Sequence, residues 1–495
     1  MNFYFLKCTS LCCGVGIGVR DMTFLPAPRT QYKIKNISSY MYKKLVPLAS
    51  LLFILVLPSW GQTLTPQQQR EDFELMADSI RAYQITLPEY GNEEEFEATY
   101  RRLLEELDEP RSVTTFFGYL LALMATTGES HNRVGFPHDP GFKDYFDSKS
   151  TTTPFSVKIF QGQLHVQYDY SGTGMIPQGA KLLTINGWDC KEVMQQLMQY
   201  GVADGEIMPY RERLIETYWN LWFPWFFEGA EEYTLTFLHP ESNQEGQATV
   251  AALTYRQMGE NIRETGQGEV RQRFSKKDVY DLQIEDEYAV LTLKTFNSVA
   301  FKKAGLNRSN FYTPLFLKLI ASGVSHLIVD VRSNQGGPYN LASDWMPYVV
   351  DSAYAGEVFR RRVALDGEVQ EWKVPEPNGK QFEGEIYVLT DSFTASGGSN
   401  MAKYLKEFVG ATVIGTETGS RYQGYASGYA QVFRLPHSGY QVEIYKDWTQ
   451  FPHSKKQTTQ NRGLIPDYEV APSLEDWLAG ADPAMAKALE LIREE

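Results

Sequence analysis

The chain has 495 residues, 43% apolar and 22% charged, which is the balance of a globular protein and not of a disordered tail, a collagen or a multi-span membrane protein. Its 61 acidic side chains outnumber 47 basic ones, and a net charge of −14 argues against nucleic-acid binding, which needs a basic face. The length corresponds to two to four domains at roughly 100–200 residues each, and 30 Tyr and 28 Phe supply ample core material.

Met41-Tyr42-Lys43-Lys44 precedes an apolar run from Leu45 to Pro58 and then Ser59-Trp60-Gly61. A basic start, an apolar stretch and a small-residue end make a signal peptide, so export to the periplasm or the exterior is expected. The run is shorter than the roughly 20 residues that span a bilayer. Met41 is read as the true start, residues 1–40 as upstream residues, and cleavage is expected after Gly61; an uncleaved anchor is the alternative. Residues 1–61 hold seven Lys/Arg, one Asp and Cys8, Cys12 and Cys13. The exported chain then carries 40 basic and 60 acidic residues, net −20, and one cysteine, Cys190, which allows no internal disulfide. No Cys stands at the cleavage point after the apolar run, so no lipid anchor is expected there.

Residues 62–150 are predicted to be an N-terminal helical domain. Phe73, Met76, Ala77, Ile80 and Tyr83 recur at helical spacing, Tyr100, Leu103, Leu104 and Leu107 repeat the pattern, and Val113 to Met124 form a further apolar helix closed by Gly128. Residues 151–256 change to short alternating strands, with Ser156–Phe160 and Leu164–Tyr168 paired around Gln161-Gly162-Gln163. The run Gly179-Ala180-Lys181-Leu182-Leu183-Thr184-Ile185-Asn186-Gly187, followed by a helix from Lys191 to Tyr200, resembles a PDZ-like module. The aromatic stretch Tyr218–Phe227 is either buried packing or a surface that grips substrate. Residues 257–280 are polar and read as a linker. Residues 281–480 are α/β in pattern, with apolar strands at Tyr288–Leu293, His326–Val331, Ile386–Leu389 and Thr412–Ile414 and helices at Tyr312–Ser322 and Met401–Phe408. A terminal helix is expected over 481–495.

There is no H-E-x-x-H, zinc-spaced Cys/His cluster, P-loop or G-x-S-x-G elbow. Two glycine-rich turns carry the chemistry instead. Thr394-Ala395-Ser396-Gly397-Gly398 follows a buried strand and opens a helix, where free N–H groups favour negative charge and small neighbours admit a substrate backbone. A helix-capping role for Ser396 is the plain alternative. Asp330-Val331-Arg332-Ser333-Asn334-Gln335-Gly336-Gly337 ends another strand, and adjacent glycines there can turn amides towards an oxyanion, or simply make a turn.

Together these motifs resemble the C-terminal-processing and tricorn-type serine peptidase family. Val413-Ile414-Gly415-Thr416-Glu417-Thr418-Gly419 and Asn461–Val470 resemble further stretches of the same family. The resemblance implies an α/β fold with a crotonase-like catalytic core, a serine acyl-enzyme and a polypeptide substrate, with no metal or organic cofactor. By position in the motif, Ser396 is the nucleophile, and the amides of Gly397 and of Gly336 or Gly337, with Gly337 preferred, hold the oxyanion. The processing branch has a lysine base where this chain has Arg421, which keeps its proton and cannot serve. Lys403 lies two helical turns from Ser396, about 10 Å. The tricorn-type branch uses a histidine in a G-x-S-H pattern, matched here by Gly128-Glu129-Ser130-His131. His131 is then the general base, with Ser130 either orienting it or helping to shape the site. That branch also has a Glu where this chain has Gln460, whose amide carries no charge to stabilise an imidazolium; another carboxylate, such as Glu417, is the alternative. The expectation is an exported serine endopeptidase or C-terminal-processing peptidase, with the PDZ-like module and aromatic stretch holding substrate. A peptide-binding pseudopeptidase of the same fold is the rival, favoured by Arg421 and Gln460.

Overall fold

The computed structural model describes residues 63–90, 93–136, 149–227, 229–266, 275–452 and 461–494. The signal-peptide reading, Met41, the cleavage point at Gly61 and Gln460 lie outside them.

Helix α1 (Pro66–Tyr83) opens on a capping box between Thr65 and Gln68, with Pro66 in its first turn, and buries Phe73, Met76, Ala77 and Ile80 at the expected spacing. Helices α2 (Glu93–Glu106) and α3 (Val113–Ala125) follow; α3 is apolar nearly all round and correspondingly buried. A short strand, β1 (Arg133–Gly135), ends this region.

An antiparallel sheet comes next: β2 (Phe155–Phe160), β3 (Gln163–Asp169), β4 (Lys181–Ile185), β5 (Glu232–Leu238) and β6 (Glu245–Ala251), in the order β6-β5-β4-β3-β2. Gln161 and Gly162, both at positive φ, make the tight turn expected between β2 and β3. Helices α4 (Cys190–Met198) and α5 (Met208–Phe226) share its core. The aromatic stretch forms the end of α5, with Trp219, Trp222, Phe223 and Trp225 all buried. Trp219 stacks on Phe223 at 5.0 Å and meets Phe155 of β2 at 6.0 Å. These rings are core and not the substrate-holding surface expected above, because helical spacing turns them onto the sheet. Helix α6 (Tyr255–Thr265) occupies the start of the stretch read as a linker. Its charged composition masks Tyr255, Met258 and Ile262, which are spaced to one face and buried.

The C-terminal half contains β7 (Tyr280–Ile284), β8 (Tyr288–Leu293), α7 (Tyr312–Ser322), β9 (His326–Asp330), β10 (Val358–Val363), β11 (Val369–Lys373), β12 (Glu385–Thr390), α8 (Gly397–Val409), β13 (Thr412–Gly415), β14 (Gly424–Arg434), β15 (Gln441–Gln450), β16 (Tyr468–Glu469) and α9 (Pro483–Glu494). Its main sheet runs β7-β8-β9-β12-β13-β16, parallel from β8 onward. One face packs Leu291, Leu327, Val329, Val388 and Val413 against α7 and α8, while Ile328, Tyr387, Leu389 and Ile414 meet Ala484, Ala488 and Ile492 of α9. Burial on both faces explains the near-continuous apolar strands.

A second sheet runs β11-β10-β15-β14. Strand β1 joins it from the N-terminal region, pairing Arg133 with Glu443, Val134 with Val442 and Gly135 with Gln441. The β14–β15 hairpin carries Leu435, Tyr440, Val442 and Ile444 into the N-terminal core. Asp72 of α1 accepts the amides of His437 and Ser438 at the hairpin turn, at 3.0 and 2.7 Å. Among the described residues, no helix is long and apolar enough to cross a membrane, and no group of three His, Cys, Asp or Glu side chains is placed to hold a metal.

Phe117 of α3 touches Phe136 at 5.1 Å, Trp225 at 5.7 Å and Tyr440 at 4.9 Å, joining three parts of the chain. Phe117→Ala is expected to destabilise the protein by about 3–5 kcal/mol. Urea unfolding checks this, and an unshifted midpoint would contradict the shared core.

Candidate active site

Ser396 sits between β12 and α8 at φ +49 and ψ −122, a region that side-chain-bearing residues seldom occupy. Its surroundings hold it there. Ala395 N donates to Asn334 O at 3.0 Å, Thr394 Oγ1 to Val331 O at 2.9 Å, and Ser396 N to Ser420 Oγ at 2.7 Å. Ser396 occupies the N-cap position of α8, but its side chain makes no capping bond. The hydroxyl instead lies 3.2 Å from Nε2 of His131, across 265 residues of sequence.

The His131 ring is fixed by its neighbours. Tyr425 of β14 stacks on it at 4.9 Å and 12°, and Tyr445 of β15 meets it edge-on at 5.5 Å. The next residue, Asn132, accepts the Tyr445 amide at 2.9 Å. Arg133 pairs with Glu443 at 3.1 Å, so β1 zips onto β15 directly after the histidine. The residue as a whole is half-buried, and its ring is closely surrounded. Burial lowers its pKa from 6.5; the Asp204 charge opposes that shift and Arg133 adds to it. Among the described residues His131 Nδ1 has no hydrogen-bond partner.

A fully buried ion pair anchors the turn before His131. Arg421 Nη1 donates to Glu129 Oε1 at 3.0 Å, and both side chains are at 0% exposure. Arg421 Nη2 reaches Gly128 O at 2.7 Å, and its guanidinium lies 3.6 Å from the Tyr90 ring centre. Glu129 also accepts from Thr86 Oγ1 at 2.7 Å and from Ala426 N at 2.8 Å. Burial pushes the Glu129 pKa up, while the Arg421 charge and these hydrogen bonds oppose it. Asp204 bridges the two segments, accepting from Ser130 N at 2.7 Å and Arg421 N at 3.1 Å. Each charge is paired and hydrogen-bonded, with only Arg421 Nε lacking a partner among the described residues, and this pairing limits the penalty of burying the two ions. Arg421 is thus a clamp.

The glycine turns converge on the same point. A Cβ on Gly336 would lie 2.3 Å from Gly397 N and 2.8 Å from Ser396 Cβ, so only glycine fits. A Cβ on Gly337 would lie 2.1 Å from Phe296 O, and one on Gly397 would lie 3.2 Å from Gly337 N. The Gly336 amide is already given to Asn334 Oδ1 at 2.9 Å. The Gly337 and Gly397 amides have no acceptor among the described residues.

Other expected residues play different parts. Ser130 enters the network through its amide. Glu417, the alternative carboxylate, is spent on Arg462, at 2.8 and 2.6 Å, and on Gly463 N at 2.7 Å. It secures a loop and is not the partner of the histidine. Lys403 is buried with Nζ 3.5 Å from the Phe451 ring centre and without an acceptor among the described residues. Burial pushes its pKa down to about 7. Asp204 and Tyr425 were not legible in the sequence, since neither lies in a motif. The Tyr425 hydroxyl accepts from Asn400 Nδ2 at 2.8 Å.

Residues 287–470 match the model of peptidase family S41. No curated protein matches the sequence. Among solved structures, mature CPAF complexed with lactacystin is similar over 87% of this chain and 99% of that one, at 13% identity and TM-score 0.61. Mature CPAF alone is similar over 83% and 94%, at 14% identity and TM-score 0.57. These likenesses show a shared fold. The photosystem II D1 C-terminal processing protease covers 82% of this chain and 93% of that one, at 15% identity and TM-score 0.40. The family match bears out the resemblance read from the motifs, and the chain is a serine-type peptidase.

Arg421→Met would leave the Glu129 carboxylate buried without its cation. A loss of about 3–5 kcal/mol is expected, and Glu129→Met/Arg421→Met should recover part of it. Denaturant titration of the three proteins checks this; equal losses in the single and double variants would contradict the clamp.

Proposed function

We propose that this protein is an exported peptidase that cleaves polypeptides through an acyl-enzyme on Ser396, with His131 as general base. The 3.2 Å approach of His131 Nε2 to Ser396 Oγ carries this reading. The apolar run Leu45–Pro58 behind a basic start supports export. We read the main sheet with α7 and α8 as a crotonase-like core, and the antiparallel sheet with α4 as a PDZ-like module.

In this scheme the Nδ1-protonated tautomer of His131 takes the Ser396 proton on Nε2 as Oγ bonds to the substrate carbonyl carbon. The carbonyl oxygen becomes an oxyanion and meets the free amides of Gly337 and Gly397. The imidazolium returns its proton to the leaving nitrogen as the C–N bond breaks. Water, activated by the same ring, then hydrolyses the ester and frees Ser396. The Asp204 charge favours the imidazolium. Stacking on Tyr425 keeps the ring in register throughout.

A fluorophosphonate probe tests the nucleophile. Labelling should vanish in Ser396→Ala and slow by about a hundredfold or more in His131→Ala. Absence of labelling in the folded wild-type protein would point to a pseudopeptidase, and near-wild-type labelling of His131→Ala would remove the base.

The pH dependence follows from the burial of His131. A lowered pKa keeps the ring neutral, and able to accept a proton, into mildly acidic solution. The acid limb of kcat/KM is therefore expected to have its midpoint below 6.5. A midpoint above 6.5 would contradict the assignment.

A further inference from the structure

Arg360 of β10 is a buried cation that the mechanism above does not use. It is 9% exposed, and its Nε and Nη1 have no hydrogen-bond partner among the described residues. Its neighbours in charge type are treated differently: Arg421 has Glu129, and Arg362 lies 3.3 Å from Asp447. No carboxylate stands at ion-pair distance from Arg360 among the described residues. Two aromatic rings flank it, with its guanidinium 4.3 Å from the Trp372 ring centre and 4.9 Å from that of Tyr339.

Its position is next to the site. Tyr339 is the second residue after Gly337, and it is 45% exposed. Across the second sheet, Arg362 pairs with Thr449 and Thr449 with Tyr425, so these three project from one face. Arg360 is two residues from Arg362 on the same strand and shares that face. Tyr425 is the ring that backs His131. The Arg360 charge reaches the hydroxyls of Tyr425 and Tyr404, where it opposes the upward push of burial. Arg360 thus packs on the residue two positions after Gly337 and shares a sheet face with the tyrosine that backs the histidine.

A buried cation without a counter-ion is costly, and facing rings offset only part of that cost. A planar guanidinium recovers most from a carboxylate, which matches its fork of donors. Polypeptides present carboxylates in two places, on Asp or Glu side chains and at the chain terminus. We infer that Arg360 is a specificity residue that binds a carboxylate of the polypeptide substrate beside the Ser396–His131 pair. The inference rests on the peptidase reading for its substrate class.

Binding to the full chain carrying Ser396→Ala tests it without requiring turnover. Four peptides of one length are compared by calorimetry: one with a free C-terminus, its C-terminal amide, one amidated with an internal Glu, and the same with Gln. At least one carboxylate peptide is expected to bind about tenfold or more tightly than its uncharged counterpart. The free-terminus pair and the Glu/Gln pair identify the source of the carboxylate. Adding Arg360→Gln should abolish the gap, and Arg360→Lys should keep part of it. A gap that persists in the Arg360→Gln protein, no gap with Arg360 present, or no binding of any of the four peptides would each overturn the inference. Fluorophosphonate labelling of the wild-type protein reads the peptidase assignment separately: a folded wild-type protein that does not label fails that reading, whatever the peptide comparison gives.

Discussion

The site depends on holding the segment from Gly128 to Gly135 against the β14–β15 hairpin. A serine and a histidine 265 residues apart cannot be kept at hydrogen-bond distance by local structure. Three features act on this short segment. The Glu129–Arg421 pair fixes its start, the Asn132–Tyr445 bond fixes its middle, and the β1–β15 ladder fixes its end. His131 lies between these anchors, so its ring position follows from theirs. The hairpin is anchored in turn, through Asp72 at its tip and Tyr440 in the N-terminal core.

Arg421 shows how one residue type changes the logic of a site. An arginine cannot give up its proton near neutral pH, so it cannot be a base. Buried with Glu129 and a backbone carbonyl, it instead holds the turn that precedes the histidine. Charge serves position here, and in the mechanism we propose proton transfer falls to a ring whose pKa is lowered by burial. Ser396 is likewise constrained. Its positive φ and a hydroxyl that makes no capping bond but meets His131 distinguish it from an ordinary helix cap, the plain alternative for a serine at that place.

Much of this was legible in the sequence. The buried strands of the main sheet announce themselves as apolar runs, and α1 announces itself by spacing. The turns around Ser396 and Gly336 were legible because close backbone approach demands glycine, and a Cβ on Gly336 would collide with Gly397. The α6 helix was hidden by its charged face. The fate of the aromatic stretch in α5 was open, because periodicity does not say whether a ring-rich face meets protein or substrate. Asp204 and Tyr425 were invisible for another reason: each acts through contacts with segments far away in sequence, and nothing local marks them. The same holds for Glu417, whose commitment to Arg462 appears only in three dimensions.

The most direct measurement is a crystal structure of the protein after reaction with a fluorophosphonate. The account requires phosphorus on Ser396 Oγ, the phosphonyl oxygen at about 2.7–3.1 Å from the amides of Gly337 and Gly397, and His131 Nε2 facing the modified oxygen. An adduct on another residue, an oxygen turned away from those amides, or an imidazole displaced from Tyr425 and remote from Ser396 would contradict it.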